Sequence, residues 1–118
     1  MIFGAHIVVY SKDADADRIF FRDILGFASV DAGHGWLIFA LPPAEAAFHP
    51  HEENDRHEFY LMCDDLKAEM SALKKKDVPC SEIQEARWGS ITKVRLPGGG
   101  HVGLYQPKHP TALNLGSR

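Results

Sequence analysis

Apolar positions recur along this chain in two periods, and the switches between them mark the predicted elements. Ile2 to Tyr10 is rich in β-branched and aromatic residues. Alternation places His6, Val8 and Tyr10 on one face and Ile7 and Val9 on the other, which predicts a strand. Ala16, Ile19, Phe20 and Ile24 then fall at helical spacing. Asp13 stands ready as an N-cap, and Asp15 and Asp17 lie where the helix dipole favours negative charge. Gly26 can end that helix in the left-handed conformation. Phe27 to Val30 predicts a strand, Asp31 to Gly35 a glycine-containing hairpin turn, and Trp36 to Leu41 a strand apolar enough to be covered on both faces. After Pro42 and Pro43, Ala46 and Phe48 alternate with Glu45, Ala47 and His49 as a fourth, half-buried strand that Pro50 stops.

The pattern then restarts. His51 to Arg56 is wholly polar and has no period, and from Glu58 to Leu66 the chain repeats the apolar run, polar cap and helix start that began at His6. The offset of 52 residues also carries Asp13 onto Asp65, Phe21 onto Leu73 and Trp36 onto Trp88. Such self-similarity describes a duplicated module: module one at 2–50, a linker at 51–57, module two at 58–107 and a tail at 108–118. Within the second copy, Leu66, Met70 and Leu73 share one helix face behind Asp64 or Asp65 as the cap. Strands are predicted at Pro79–Ile83, Trp88–Leu96 and His101–Gln106. Gly98, Gly99 and Gly100 join two strands and so read as a hairpin turn, because a phosphate cradle would need a helix N-terminus after them. The tail is expected to dock loosely or to be disordered.

Composition narrows the function classes. A chain of 118 residues, 45% apolar and 25% charged, fits one globular domain. Its net charge of −3 supplies no basic field for nucleic acid, and Lys74, Lys75 and Lys76 read as a solvated helix end. No stretch approaches the ~20 apolar residues of a membrane span, and the N-terminus has no signal-peptide pattern, so the expected location is the cytoplasm. Cys63 and Cys80 form no metal or redox motif and are expected as free thiols.

A doubled β-α-β-β-β module carries a strand-one histidine, a first helix ending in Leu25-Gly26-Phe27 and a Cys63-Asp64-Asp65-Leu66 helix start. A Pro97-Gly98-Gly99 turn precedes Leu104-Tyr105-Gln106-Pro107. In these features, over residues 2–107, the chain resembles the vicinal oxygen chelate superfamily, which includes glyoxalase I, extradiol dioxygenases, and fosfomycin- and bleomycin-resistance proteins. The resemblance implies an α+β fold in which two tandem modules form a cupped mixed sheet with helices on its outer face and a small-molecule site in the cup. It identifies function weakly, since one fold hosts unrelated chemistries.

Metal-using members take ligands from strands one and four of each module. By that resemblance the strand-one positions here are His6 and Glu58. Matching Ala46-x-Phe48 to Val102-x-Leu104 turns those apolar residues toward the helices. The cup face then carries Glu45, Ala47 and His49 in one half and His101, Gly103 and Tyr105 in the other. The family's last-strand carboxylate position holds Gly103, and its mate is Ala47, neither of which can bind a cation.

Three readings stay open. His6, Glu58, His49 and His101 could rebuild a site for Fe, Mn, Zn or Ni that chelates vicinal oxygens, with Glu58, or else Glu45, as the general base. The cup could instead be metal-free and bind an organic molecule, as the bleomycin-resistance members do. In the third reading His6 and Glu58 pair across the seam between modules and only stabilise it. Tyr10, Tyr60 and Tyr105 share the cup face by parity, and Tyr60 and Tyr105 are candidate ligand contacts, while Trp36 and Trp88 read as core or cup wall. Short sheets with open edges, together with the family's habit of pairing modules about a two-fold axis, imply a homodimer, with the first strand and residues 109–113 at the interface.

Overall fold

The computed structural model describes residues 6–113. Where local signals were strongest, the elements form as the sequence predicts. Helix α1 spans Ala14–Asp23, its N-cap Asp13 accepting a hydrogen bond from the Ala16 amide at 3.1 Å. Gly26 follows at φ +74°. A short hairpin comes next, β1 (Ser29–Asp31) against β2 (Leu37–Phe39), antiparallel with Val30 opposite Ile38. The Asp31 carboxylate closes its turn by accepting from the Gly33 and Gly35 amides.

The second half is a complete β-α-β-β-β unit. Strand β3 (Tyr60–Met62) leads through Asp65, which caps by accepting from Ala68, into helix α2 (Leu66–Lys74). Strands β4 (Gln84–Ala86), β5 (Gly89–Arg95) and β6 (His101–Pro107) follow. The sheet order is β3-β6-β5-β4, with β3 parallel to β6 and the other pairs antiparallel. Alternation turns Val94, Val102 and Leu104 to one face, where Leu66 and Leu73 of α2 and Phe20 of α1 bury against them in a single core. Both helices therefore lie on one side of this mixed sheet. The glycine turn joins β5 to β6, as expected, and the Gly98 amide donates to Asp17 of α1 at 2.8 Å.

The first half departs from expectation. Residues 6–10 and 45–49, predicted as strands one and four, form no strand here, and Ile7, Val8, Val9 and Tyr10 are exposed, as is Phe48 at 96%. Residues 2–5 of the predicted first strand lie outside the described residues. In the second half, parallel pairing of β3 with β6 completes the sheet. The equivalent pairing of 6–10 with 45–49 is missing, and an apolar β-type run without a neighbour's N–H and C=O groups gains nothing from its pattern. Trp36 to Leu41 is likewise not covered on both faces. Trp36 is 61% exposed with the Arg18 guanidinium 4.4 Å from its ring centre, and Ile38 is exposed as well. Ala46 and Phe48 consequently do not face the helices as Val102 and Leu104 do. The short Pro79–Ile83 strand reduces to one bridge between Cys80 and Val94.

Candidate ligand site

The sheet face turned away from the helices is built from two glycines and the rings that lie on them. On β6, burying Val102 and Leu104 in the core leaves Gly103 and Tyr105 on the opposite face. Tyr60, paired with Gly103 in the parallel ladder, lays its ring over that glycine so closely that any Cβ there would overlap it. Tyr105 lies over Gly89 of β5 in the same way. A glycine inside a strand normally weakens it, but here each one leaves room for an aromatic ring to approach the backbone closely.

Trp88 extends this floor. Its ring stands edge-on to Tyr105 at 5.3 Å between centroids, and Tyr60 meets Tyr105 at 6.0 Å. The Tyr105 hydroxyl donates to the Trp88 backbone carbonyl at 2.9 Å, which fixes the Tyr105 ring. His49 approaches Trp88 edge-on at 6.1 Å, and His109 lies 5.7 Å from Tyr105. Two carboxylates flank the rings. Glu58 accepts from the Tyr60 hydroxyl at 3.1 Å, and Glu45 accepts from the Ala112 amide at 2.7 Å with His109 Nε2 3.9 Å away. Burial pushes the Tyr60 phenol up, helped by its bond to Glu58 and that group's charge; burial first and the Glu45 charge second do the same for Tyr105. Both phenols therefore stay protonated at neutral pH and serve as hydrogen-bond donors, not bases.

The residues proposed from the sequence are partly gathered here. Tyr60, Tyr105 and Glu58 stand together, with His49 at the margin. His6 is exposed on a segment without sheet partners, and Glu58 turns to Tyr60 and to Arg56 at 3.8 Å, so a His6–Glu58 pair across the seam is not made. His101 lies elsewhere, in a groove of about 460 Å³ bordered by Tyr10, Lys12, Asp17 and the glycine turn. Among the described residues no three His, Cys, Asp or Glu side chains come together in a way that could hold a metal ion. As placed among the described residues, these side chains do not form a set that fits Fe, Mn, Zn or Ni. His6 would have to arrive on a strand that is not formed, and position 103 has no room for a carboxylate beneath the Tyr60 ring.

Sequence reasoning assigned no role to Gly89 or His109. Gly89 could have been found, since a glycine between Trp88 and an apolar strand signals close approach. His109 gives no local signal, because its place depends on where Glu45 lies.

The sequence matches no protein-family model and no curated protein. Solved structures do share the fold. The antibiotic-binding protein TnmS3 from a Streptomyces species superposes with a TM-score of 0.66 at 22% identity, over 92% of this chain and 99% of that one. Lactoylglutathione lyase from Agrobacterium tumefaciens gives 0.59 at 20% identity, over 83% and 88%. A glyoxalase/bleomycin resistance protein/dioxygenase superfamily member from Sphaerobacter thermophilus gives 0.57 at 20%, over 89% and 98%. With both helices on one face of a mixed sheet, the chain shares the α+β fold of these solved structures.

Proposed function

We propose that this protein binds a small organic molecule with a planar, conjugated part on the floor made by Tyr60, Tyr105 and Trp88, without a metal ion. The observation that carries this reading is the pair of rings seated closely against in-strand glycines on the sheet face opposite the core. Stabilising a core does not require two tyrosines held on the sheet face opposite it, whereas a cluster of aromatic faces and edges, with the phenols anchored on Glu58 and the Trp88 carbonyl, suits packing and orienting a conjugated ligand. TnmS3, described as antibiotic-binding, has the same fold and lends support to a binding role. Free Cys63 and Cys80 agree with a cytoplasmic setting.

The test is a titration with planar aromatic probes followed by tryptophan fluorescence, in a Trp36→Phe background that leaves Trp88 as the reporter. Saturable quenching that weakens at least tenfold on Tyr60→Ala supports the reading. Metal content supplies the opposing arm. Supplementation with Fe(II), Mn(II), Zn(II) and Ni(II) should leave little bound ion, whereas near-stoichiometric ion lost on His6→Ala and Glu58→Ala would return the metal-dependent enzyme reading, with Glu58 as base.

We further propose a homodimer in which a second copy covers the unpaired segment His6–Tyr10. Ile7, Val8 and Val9 are exposed there, and among the described residues β3 has a partner on only one side. Light scattering at micromolar concentration should give about twice 13.1 kDa; the monomer mass would sink this assembly.

A further inference from the structure

Tyr105 is only 8% exposed although it sits on the sheet face that no helix covers. Part of its cover is the chain's own continuation. Beyond Pro107 the Lys108 amide donates to the Trp88 carbonyl at 2.8 Å, and the His109 ring then settles near Tyr105, tilted 36° from its plane. His109 Nδ1 lies 2.7 Å from the Pro110 carbonyl. Two residues on, Ala112 donates its N–H to Glu45, a residue from the other half of the chain. The Glu45 carboxylate is largely buried by this arrangement and also faces His109 Nε2. The ladder of β6 runs through Pro107 to the Lys108 amide, and Pro110, which lacks an N–H group, cannot continue it, so the segment beyond leaves the sheet.

We infer that residues 108–113 are a strap that occupies part of the aromatic site, and that a ligand must displace it and take over the N–H bond to Glu45. The inference rests on the proposed binding role of that floor. The strap also defines the incoming chemistry. Its own occupants are a nitrogen heteroaromatic ring near Tyr105 and an N–H donor on a carboxylate, so the matching ligand class is a planar heteroaromatic compound bearing amine or ring N–H groups. Because the closed strap withholds the site, the apparent affinity is lowered by the fraction of molecules that are open.

Proflavine, a planar heteroaromatic cation with two amino groups, is a suitable probe, read by Trp88 quenching in the Trp36→Phe background. Truncation after Pro107 should tighten its binding about tenfold, the equivalent of one charge-assisted hydrogen bond no longer broken on binding. Ala112→Pro, which removes the N–H that donates to Glu45 and stiffens the chain at 111–112, should give a smaller tightening in the full-length chain and guards against a truncated protein that fails to fold. Adding Glu45→Ala to the open protein should then weaken binding, because the carboxylate now serves the ligand. Equal affinity in parent, truncated and Ala112→Pro proteins would overturn the strap while leaving the binding site standing. Weaker binding on truncation would mean the tail is ligand wall, which also overturns it. No proflavine binding by any of these proteins, with the fold intact, would remove the binding reading and the strap together.

Discussion

Replacing Gly103 with alanine inserts a methyl group that overlaps Cδ1 of Tyr60 and stands 2.6 Å from Cε1 and 3.1 Å from Cγ. Carbon atoms need about 3.5 Å or more, so the ring must lift off the sheet. A lifted ring gives up its edge contact with Tyr105 and the hydrogen bond from its hydroxyl to Glu58. The Glu58 bond is exposed and adds little, while the aromatic contact is worth ~1 kcal/mol and the overpacking costs ~1–3 kcal/mol. The expected loss is about 2 kcal/mol, or roughly 8 °C in Tm for a domain of this size.

Gly89→Ala should cost more. Its methyl would overlap Tyr105, a buried ring tied to the Trp88 carbonyl, and would stand 2.8 Å from the Gln106 carbonyl oxygen, which is backbone and cannot swing away. Gly100→Ala meets nothing within 4 Å and should stay within about 0.5 kcal/mol of the parent. Calorimetry on the three variants gives the ranking. Tyr60→Ala combined with Gly103→Ala should recover most of the clash penalty, a coupling read from the double-mutant cycle. If Gly103→Ala melts with Gly100→Ala, the ring does not lie on the strand and the floor described above is wrong. A Gly103→Glu variant, which would restore the superfamily's carboxylate, is expected to unseat Tyr60 rather than gain a metal.

Leu66, 1% exposed at the start of α2, joins helix and sheet in the core, so Leu66→Ala should lower stability by about 2–5 kcal/mol in urea melts; a loss under about 1 kcal/mol would contradict that packing. Asp65→Ala removes the cap of the same helix and should cost about 1 kcal/mol, with Asp65→Asn retaining most of it. Burial, with Glu69 and Asp64 nearby, pushes the Cys63 thiol up to about 11 from the ordinary 9.0. Iodoacetamide at pH 8 should therefore alkylate Cys63 about a hundredfold more slowly than in the unfolded chain, and comparable rates would refute the shift. The raised value also gives a sign. The contribution of Cys63 to stability is full below pH 9 and falls as pH rises toward 11, because the unfolded chain releases this proton first.

The sequence by itself determined the elements whose causes are local. Asp13 and Asp65 cap helices with their own carboxylates, Gly26 takes positive φ, Asp31 folds its turn, and the spacing of Leu66, Met70 and Leu73 sets which side of α2 is buried. Alternation also placed Val102 and Leu104 inside and Tyr105 opposite them. Each of these is settled within a few residues, by a hydrogen bond or a repeating burial pattern that the residue types announce. Tertiary structure alone decided the rest. Ile7–Val9 and Phe48 have the composition of strands but find no neighbour, because β-pairing is a contract between distant segments and composition records only one side of it. The same dependence scattered His6, Glu58, His49 and His101, which parity had placed on one face, and brought Glu45 to the Ala112 amide across 67 residues. In-strand glycines were visible in the sequence. That tyrosine rings would cover them depended on the register of β3 against β6 and of β5 against β6, which is set by the packed sheet and not by any one strand.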